Sequence, residues 1–223
     1  MSTVGPHGTD FLYPFIEADE CDVDALVTDL ADSAAAKRAD SRALQTATLA
    51  RCVDEVERAA GAMAERFERG GRLFTAGNGG SATDAASLAA LFARPPSGRP
   101  LPARSFVADG AILTALGNDV GFELVFSRQL MAYGTPDDIV VGFSTSGNSA
   151  NLIRMFDTAA RAGILTVGLA GYDGGDMATC GAVDHLFVAR SESVHRIQET
   201  QDALALTLWT AVRRHLGTAP AAP

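Results

Sequence analysis

Residues 138–162, DIVVGFSTSGNSANLIRMFDTAARA, decide the fold class. An apolar run without alternation, Asp138–Phe143, empties into a serine- and glycine-rich loop, and a helix over Ala150–Ala162 follows. A strand that is apolar on both faces must be covered on both sides, which is the condition of a parallel sheet. The same grammar recurs outward in both directions. Arg72–Ala76 leads into GNGGS and an alanine-rich helix over Thr83–Ala93, and Ala103–Val107 follows as a second strand. Between them Arg94–Pro102 (RPPSGRPLP) is a proline-rich loop. On the other side Ile164–Ala170 leads into GYDGGD, and a short strand over His185–Val188 precedes a helix over Val194–Leu216. Repeated strand–loop–helix units predict an α/β fold with a parallel sheet flanked by helices. In such sheets ligands bind at the carboxyl ends of the strands, where both loops fall.

Ahead of the first strand the spacing is helical from about Val23 to Lys37 and again from Ser41 to Arg69, where Gly70-Gly71 ends it. The segment Asp10–Asp24 (DFLYPFIEADECDVD) sets Phe11, Leu12, Tyr13, Phe15 and Ile16 against a dense acidic run, with Pro14 barring a long helix. It reads as a strap that docks on a neighbouring subunit or on a protein partner. The predicted organisation is an acidic strap and helix over 1–40, a domain over 41–217 and a disordered tail over 218–223.

Composition narrows the function. The chain has 223 residues, 47% hydrophobic and 20% charged, so a sizeable core forms and a largely disordered chain is excluded. The net charge of −9 opposes nonspecific nucleic-acid binding. No apolar run reaches the ~20 residues of a membrane span, and the first residues lack a signal pattern, which predicts a soluble cytoplasmic protein. Cys21, Cys52 and Cys180 have no CxxC spacing, so neither a disulfide framework nor a thiolate metal site is expected.

Two loops carry the chemistry. In Gly77–Ser81 (GNGGS) the glycines let backbone N–H groups approach an anion at a helix start, although the same string also serves as an ordinary strand-to-helix turn. Ser144-Thr145-Ser146-Gly147-Asn148-Ser149 is denser in hydroxyls than a helix cap requires and forms a neutral cradle for a phosphate. The GNGGS loop matches neither a dinucleotide nor a nucleotide-triphosphate signature.

Together with Gly117-Asn118-Asp119, Gly121-Phe122 and Arg196-Ile197-Gln198-Glu199, these loops resemble the sugar isomerase (SIS) domain in its phosphoheptose isomerase subgroup. The resemblance spans about Cys52 to Leu216. It implies a Rossmann-like five-stranded parallel sheet, a long N-terminal helix and a homotetramer with sites between subunits. It further implies that the serine loop (Ser144, Thr145, Ser146, Ser149) holds a sugar phosphate. Asn78, Gly79, Gly80, Ser81, Asn118, Asp119 and Gln198 then hold the rest of the sugar.

The sequence departs from that subgroup where protons are moved. The resemblance places a histidine, a glutamate and a second histidine at Ser87, Leu91 and Leu206, and in the subgroup those residues with the RIQE glutamine also hold zinc. Only Gln198 remains, so no metal and no other cofactor is expected. In one reading Leu88, Leu91 and Phe92, with Leu204, Leu206 and Leu208, have simply become core. In another the chain is a binding module, a sensor or scaffold. It is similar in this to the SIS protein that associates with the bacterial replication initiator, which also lacks the glutamate and the C-terminal histidine. In a third, Asp202, four residues after Gln198 and four before Leu206, is a relocated catalytic carboxylate; its plainer role is to brace a subunit contact. His195 and Glu199 are expected to form a local ion pair. The sequence thus leaves open a phosphosugar sensor or scaffold and an aldose–ketose isomerase with a rebuilt acid/base pair.

Overall fold

The computed structural model describes residues 23–217. The aromatic and acidic strap, Cys21 and the 218–223 tail lie outside the described residues. In chain order the elements are α1 (Val23–Glu68), β1 (Leu73–Gly77), α2 (Gly80–Ala93), β2 (Ala103–Ser105) and α3 (Gly110–Asp119). A 3-10 turn (Phe122–Leu124) leads to α4 (Val125–Tyr133), β3 (Ile139–Ser144) and α5 (Ala150–Arg161). Then follow β4 (Leu165–Gly171), α6 (Gly175–Thr179), β5 (His185–Ala189) and α7 (Val194–His215).

The described residues divide into two units between Asp40 and Ser41. The described part of the first is helical, with Leu26, Val27 and Leu30 exposed. Two helices were expected before β1, and one continuous helix is found. The sequence between Lys37 and Ser41 contains neither glycine nor proline, so nothing there costs enough to stop a helix. Gly70, at φ 87°, does stop it.

In the second unit five strands form one sheet in the order β2-β1-β3-β4-β5, every neighbouring pair parallel. This is the expected Rossmann-like SIS architecture, an α/β sheet flanked by helices. Alternate residues of each strand feed two cores. Leu73, Ile139, Val141, Phe143, Val167 and Leu169 pack with α2, α7 and the 52–67 part of α1. Phe74, Ala76, Val140 and Ala170 pack with α4 and α5. Both faces are covered, which is why the strands read as unbroken apolar runs.

Residues 108–137 received no assignment from periodicity and hold α3, the 3-10 turn and α4. Asp109 caps α3 by accepting hydrogen bonds from the Ala111 and Ile112 amides at 3.0 and 3.1 Å. Below the sheet, at the amino ends of the strands, Asp138 accepts from Arg72 Nη2 at 2.9 Å and from the Arg72 amide at 2.7 Å. Among the described residues no helix is long and apolar enough to cross a membrane.

The position of the site follows from the strand order. The chain leaves β1 for β2 on one side and returns to pair β3 on the other, so the direction of winding reverses between β1 and β3. That reversal opens a crevice at the carboxyl ends of adjacent strands. The last rung of the pair is Gly77 beside Phe143, so Asn78 and Ser144 start the two loops side by side.

Candidate functional site

The serine loop is folded around its own hydroxyls. Ser144 Oγ accepts from the Gly147 amide at 3.1 Å and lies 3.0 Å from Ser149 Oγ and 3.5 Å from Ser146 Oγ. Ser146 Oγ accepts from the Asn148 amide at 3.2 Å. Three hydroxyls therefore converge at the start of α5. Ser149 occupies the N-cap position yet makes no side-chain cap hydrogen bond, so its hydroxyl is not spent on the helix. The positive end of a 12-residue helix faces the same place. Thr145 is half-buried beside them.

The loop is held from behind by the turn after β4. The Met177 amide donates to the Gly147 carbonyl at 3.0 Å, and the Asp176 amide to Asn148 Oδ1 at 2.7 Å. Gly147 has φ 70°, and a Cβ there would stand 2.0 Å from the Gly174 carbonyl oxygen. Gln201, fully buried on α7, donates to the Ser144 carbonyl at 3.4 Å. A loop fixed this way needs little reordering to receive an anion.

The second loop stands opposite. Gly79 and Gly80 are exposed, whereas Ser81 is buried. A Cβ on Gly80 would lie 2.0 Å from Gln198 Nε2, so the glycine is what lets the amide of α7 reach the helix start. Asn78 is half-buried and exchanges hydrogen bonds with Asn151. Beside this loop lies a cavity of about 430 Å³ lined by Asn78, Gly79 and Thr83, with Leu113, Phe122 and Phe126 on its apolar wall. Asn118 and Asp119, at the end of α3, are exposed and joined to each other at 2.8 Å. Leu113 and Phe122, rather than this pair, line that cavity.

One turn further along α2 and α7 the structure brings together two carboxyls, Asp84 and Asp202, close enough to share a hydrogen bond when one of them is protonated. Burial, then the charge of Asp202 and the bond to it, push the Asp84 carboxyl up to about 6. Partial desolvation also raises Asp202, weakly because the residue is exposed on α7, and the bond from Asp84 draws it partly back. Asp84 Oδ2 is buried and meets no donor among the described residues. Like charges this close do not both ionise freely, so the pair retains a proton where isolated aspartates have lost theirs. Asp84 escaped sequence analysis. Its signal was present: it follows Gly80 by four residues as Asp202 follows Gln198, and those two neighbours touch.

Leu88, Phe92, Leu204 and Leu208 are core, and Leu91 packs against it. Leu206 is 51% exposed and does not join them. Glu199 bonds to Arg196 at 2.8 Å and to Ser41, not directly to the exposed His195. His185 and His215 are taken up by Glu55 and Glu57 at 2.6 and 3.2 Å.

A parallel sheet with glycine and serine loops flanking its point of reversal defines an α/β protein whose ligand site lies at the strand ends. The chain belongs to the SIS-domain family, whose match covers residues 38–171, and within it is phosphoheptose isomerase-like. It is 41% identical over 167 residues to the phosphoheptose isomerase of Solidesulfovibrio magneticus, covering 72% of this chain and 78% of that one. To that of Akkermansia muciniphila it is 38% identical over 170 residues, covering 75% and 89%. The phosphoheptose isomerase structure from Neisseria gonorrhoeae superimposes with a TM-score of 0.77 at 33% identity, over 83% of this chain and 99% of the other.

The zinc that the resemblance implies does not fit the residues present. The positions that the resemblance assigns to its ligands are Ser87, Leu91, Gln198 and Leu206, one neutral amide among two hydrocarbons and a hydroxyl. Among the described residues no three His, Cys, Asp or Glu side chains gather where they could hold a metal ion.

Proposed function

We propose that this chain binds a phosphosugar in the crevice between the ends of β1 and β3, and that it works as a cytoplasmic sensor or scaffold assembled as a homotetramer. The phosphate sits in the Ser144–Ser149 loop, with Thr145 at its edge. Asn78, Gly79, Gly80, Ser81, Gln198 and the Asn118-Asp119 pair serve the sugar hydroxyls. The observation that carries the reading is the convergence of Ser144, Ser146 and Ser149 at an N-terminus left uncapped by its own N-cap side chain. Neutral donors of this kind bind an anion without a buried cation. The names of the relatives support a sugar phosphate. The hydrocarbon of Leu91 and Leu206 supports binding without the subgroup's usual proton transfer. Thermal unfolding with sedoheptulose 7-phosphate, before and after a chelator, tests this. A ligand at 100 times its Kd adds ~2.7 kcal/mol of stability, and the shift should survive chelation. No shift with any phosphosugar overturns the binding reading.

One observation favours a second reading, an aldose–ketose isomerase with a rebuilt centre. The Asp84–Asp202 pair lies one turn from Gly80 and Gln198 and holds a proton near pH 6. Isomerisation moves a proton between adjacent carbons and needs one group to take it and one to return it. Incubation with sedoheptulose 7-phosphate in heavy water separates the readings. Deuterium entering the sugar carbon skeleton, and lost in Asp202→Asn, supports the enzyme; an unlabelled sugar supports the sensor.

A further inference from the structure

Past the last rung of the β1–β3 ladder, two side chains continue the join between the ligand loops. Asn78 Nδ2 donates to Asn151 Oδ1 and Asn151 Nδ2 donates to Asn78 Oδ1, both at 2.9 Å. Asn78 lies just beyond β1, and Asn151 is the second residue of α5, directly after the serine loop. The pair therefore links the two loops across a sequence separation of 73 residues.

A carboxamide has two N–H donors and an oxygen with two lone pairs. The reciprocal pair uses one of each on both residues. Asn151 is 3% exposed, so its role is played within the protein. Asn78 is half-buried and lines the cavity, where its second N–H and second lone pair remain for a ligand. A lone asparagine on a glycine loop would be free to turn its amide. The paired one is held in rotation, and the sense of its amide is tied to that of Asn151.

We propose that Asn151 is a positioning residue of the binding site, acting through Asn78. It sets the distance and orientation between the sugar end, at the glycine loop, and the phosphate end, at the serine loop. The site then discriminates a phosphate ester carrying hydroxyls from free phosphate, because only the ester spans both loops. This inference rests on the phosphosugar reading of the crevice.

Calorimetric titration with sedoheptulose 7-phosphate and with inorganic phosphate tests it in wild type, Asn151→Ala, Asn78→Ala and the double variant. The ratio of the two affinities should fall about tenfold in Asn151→Ala, as for loss of one well-made hydrogen bond. The double variant should lose no more than Asn78→Ala alone. If Asn151→Ala does not fold, Asn151→Ser, which is small and polar in the same buried place, should show the same fall in ratio. An unchanged ratio, whether both ligands bind as in wild type or both weaken equally, overturns the positioning role alone. Additive losses in the double variant also overturn it, since Asn151 would then act independently of Asn78. A wild-type chain that binds neither ligand overturns the phosphosugar reading and this inference together.

Discussion

Asp84 and Asp202 meet carboxyl to carboxyl across α2 and α7, one helical turn past the contact of Gly80 with Gln198. A turn advances about 5.4 Å, which puts the pair beside the glycine loop rather than in a remote part of the interface. Asp84 is held up to about 6 from 3.8, first by burial and then by Asp202. Its folded value lies above its unfolded one, so its contribution to stability is complete below about 3.8 and is lost as pH rises to about 6. Asp84→Asn keeps a donor to Asp202 and cannot ionise. Its melting temperature should fall less than that of wild type between pH 4 and 6, and at pH 7.5 it should melt about 2–4 °C higher. Parallel pH profiles for the two proteins would show that the carboxyls do not share a proton.

The serine loop separates two roles that its sequence presents as equal. Ser144 is buried and its hydroxyl holds the Gly147 amide, so Ser144→Ala should lower both stability and ligand affinity. Ser146 is half-buried and bonds only within the loop, to the Asn148 amide and, at 3.5 Å, to Ser144 Oγ. Ser146→Ala should leave the melting temperature within about 1–2 °C of wild type while phosphate affinity falls by ~1.5–3 kcal/mol, the worth of a hydrogen bond to a charged group. Titration and melting on the same samples check this. A Ser146→Ala protein that binds like wild type removes that hydroxyl from the site.

Gly147→Ala addresses the brace behind the loop. Its φ of 70° is costly for any L side chain, and the new Cβ would press on the Gly174 carbonyl 2.0 Å away, which is backbone and cannot swing aside. The variant should lose more than about 2 kcal/mol in denaturant unfolding and bind phosphate more weakly than Ser146→Ala. Wild-type stability would mean that the turn after β4 does not clamp the loop.

What the sequence made legible follows from where its information is local. β1, β3 and β4 announce themselves because each is a short apolar run that ends in glycine or serine, and the sheet buries both faces of all three. The ligand loops were readable for the same reason, since a run such as STSGNS has few structural uses. α3 and α4 were not found by periodicity: α3 has no fully buried residue, and α4 is nine residues long. The Asp109 cap was the available signal. The side-chain pairs were harder still. Asp202 stood out by its spacing from Gln198, but its partner Asp84 and the partner of Asn78 lie on other elements, and only the packing of α2 on α7 and of β1 beside β3 brings them together. Leu206 illustrates the opposite difficulty: helical spacing allows a reading in which this leucine joins the core, yet it lies on the exposed side of α7.

The last prediction sets a second aspartate against the first. Asp138 has a side chain only 1% exposed. Burial alone would raise it, but hydrogen bonds from Arg72 and Thr135 outweigh that and hold its carboxyl below the ordinary aspartate range. The sign is therefore opposite to that of Asp84: the contribution of Asp138 is present at neutral pH and is lost as pH falls through its depressed folded value. Asp138→Asn keeps the shape but removes the charge that Arg72 grips through two nitrogens of its side chain. The Arg72 side chain is partly exposed, so water offsets part of the loss, and the cost at pH 7 should be about 2–3 kcal/mol. Because the ladder at that end joins β1 to β3, the loss should appear as global unfolding rather than as weaker ligand binding. Denaturant unfolding of wild type and Asp138→Asn from pH 7 down to pH 3 checks both points. The two curves should converge as the wild-type carboxyl becomes protonated, and a constant gap across that range would show that packing, not the charge on Asp138, is what the variant lost.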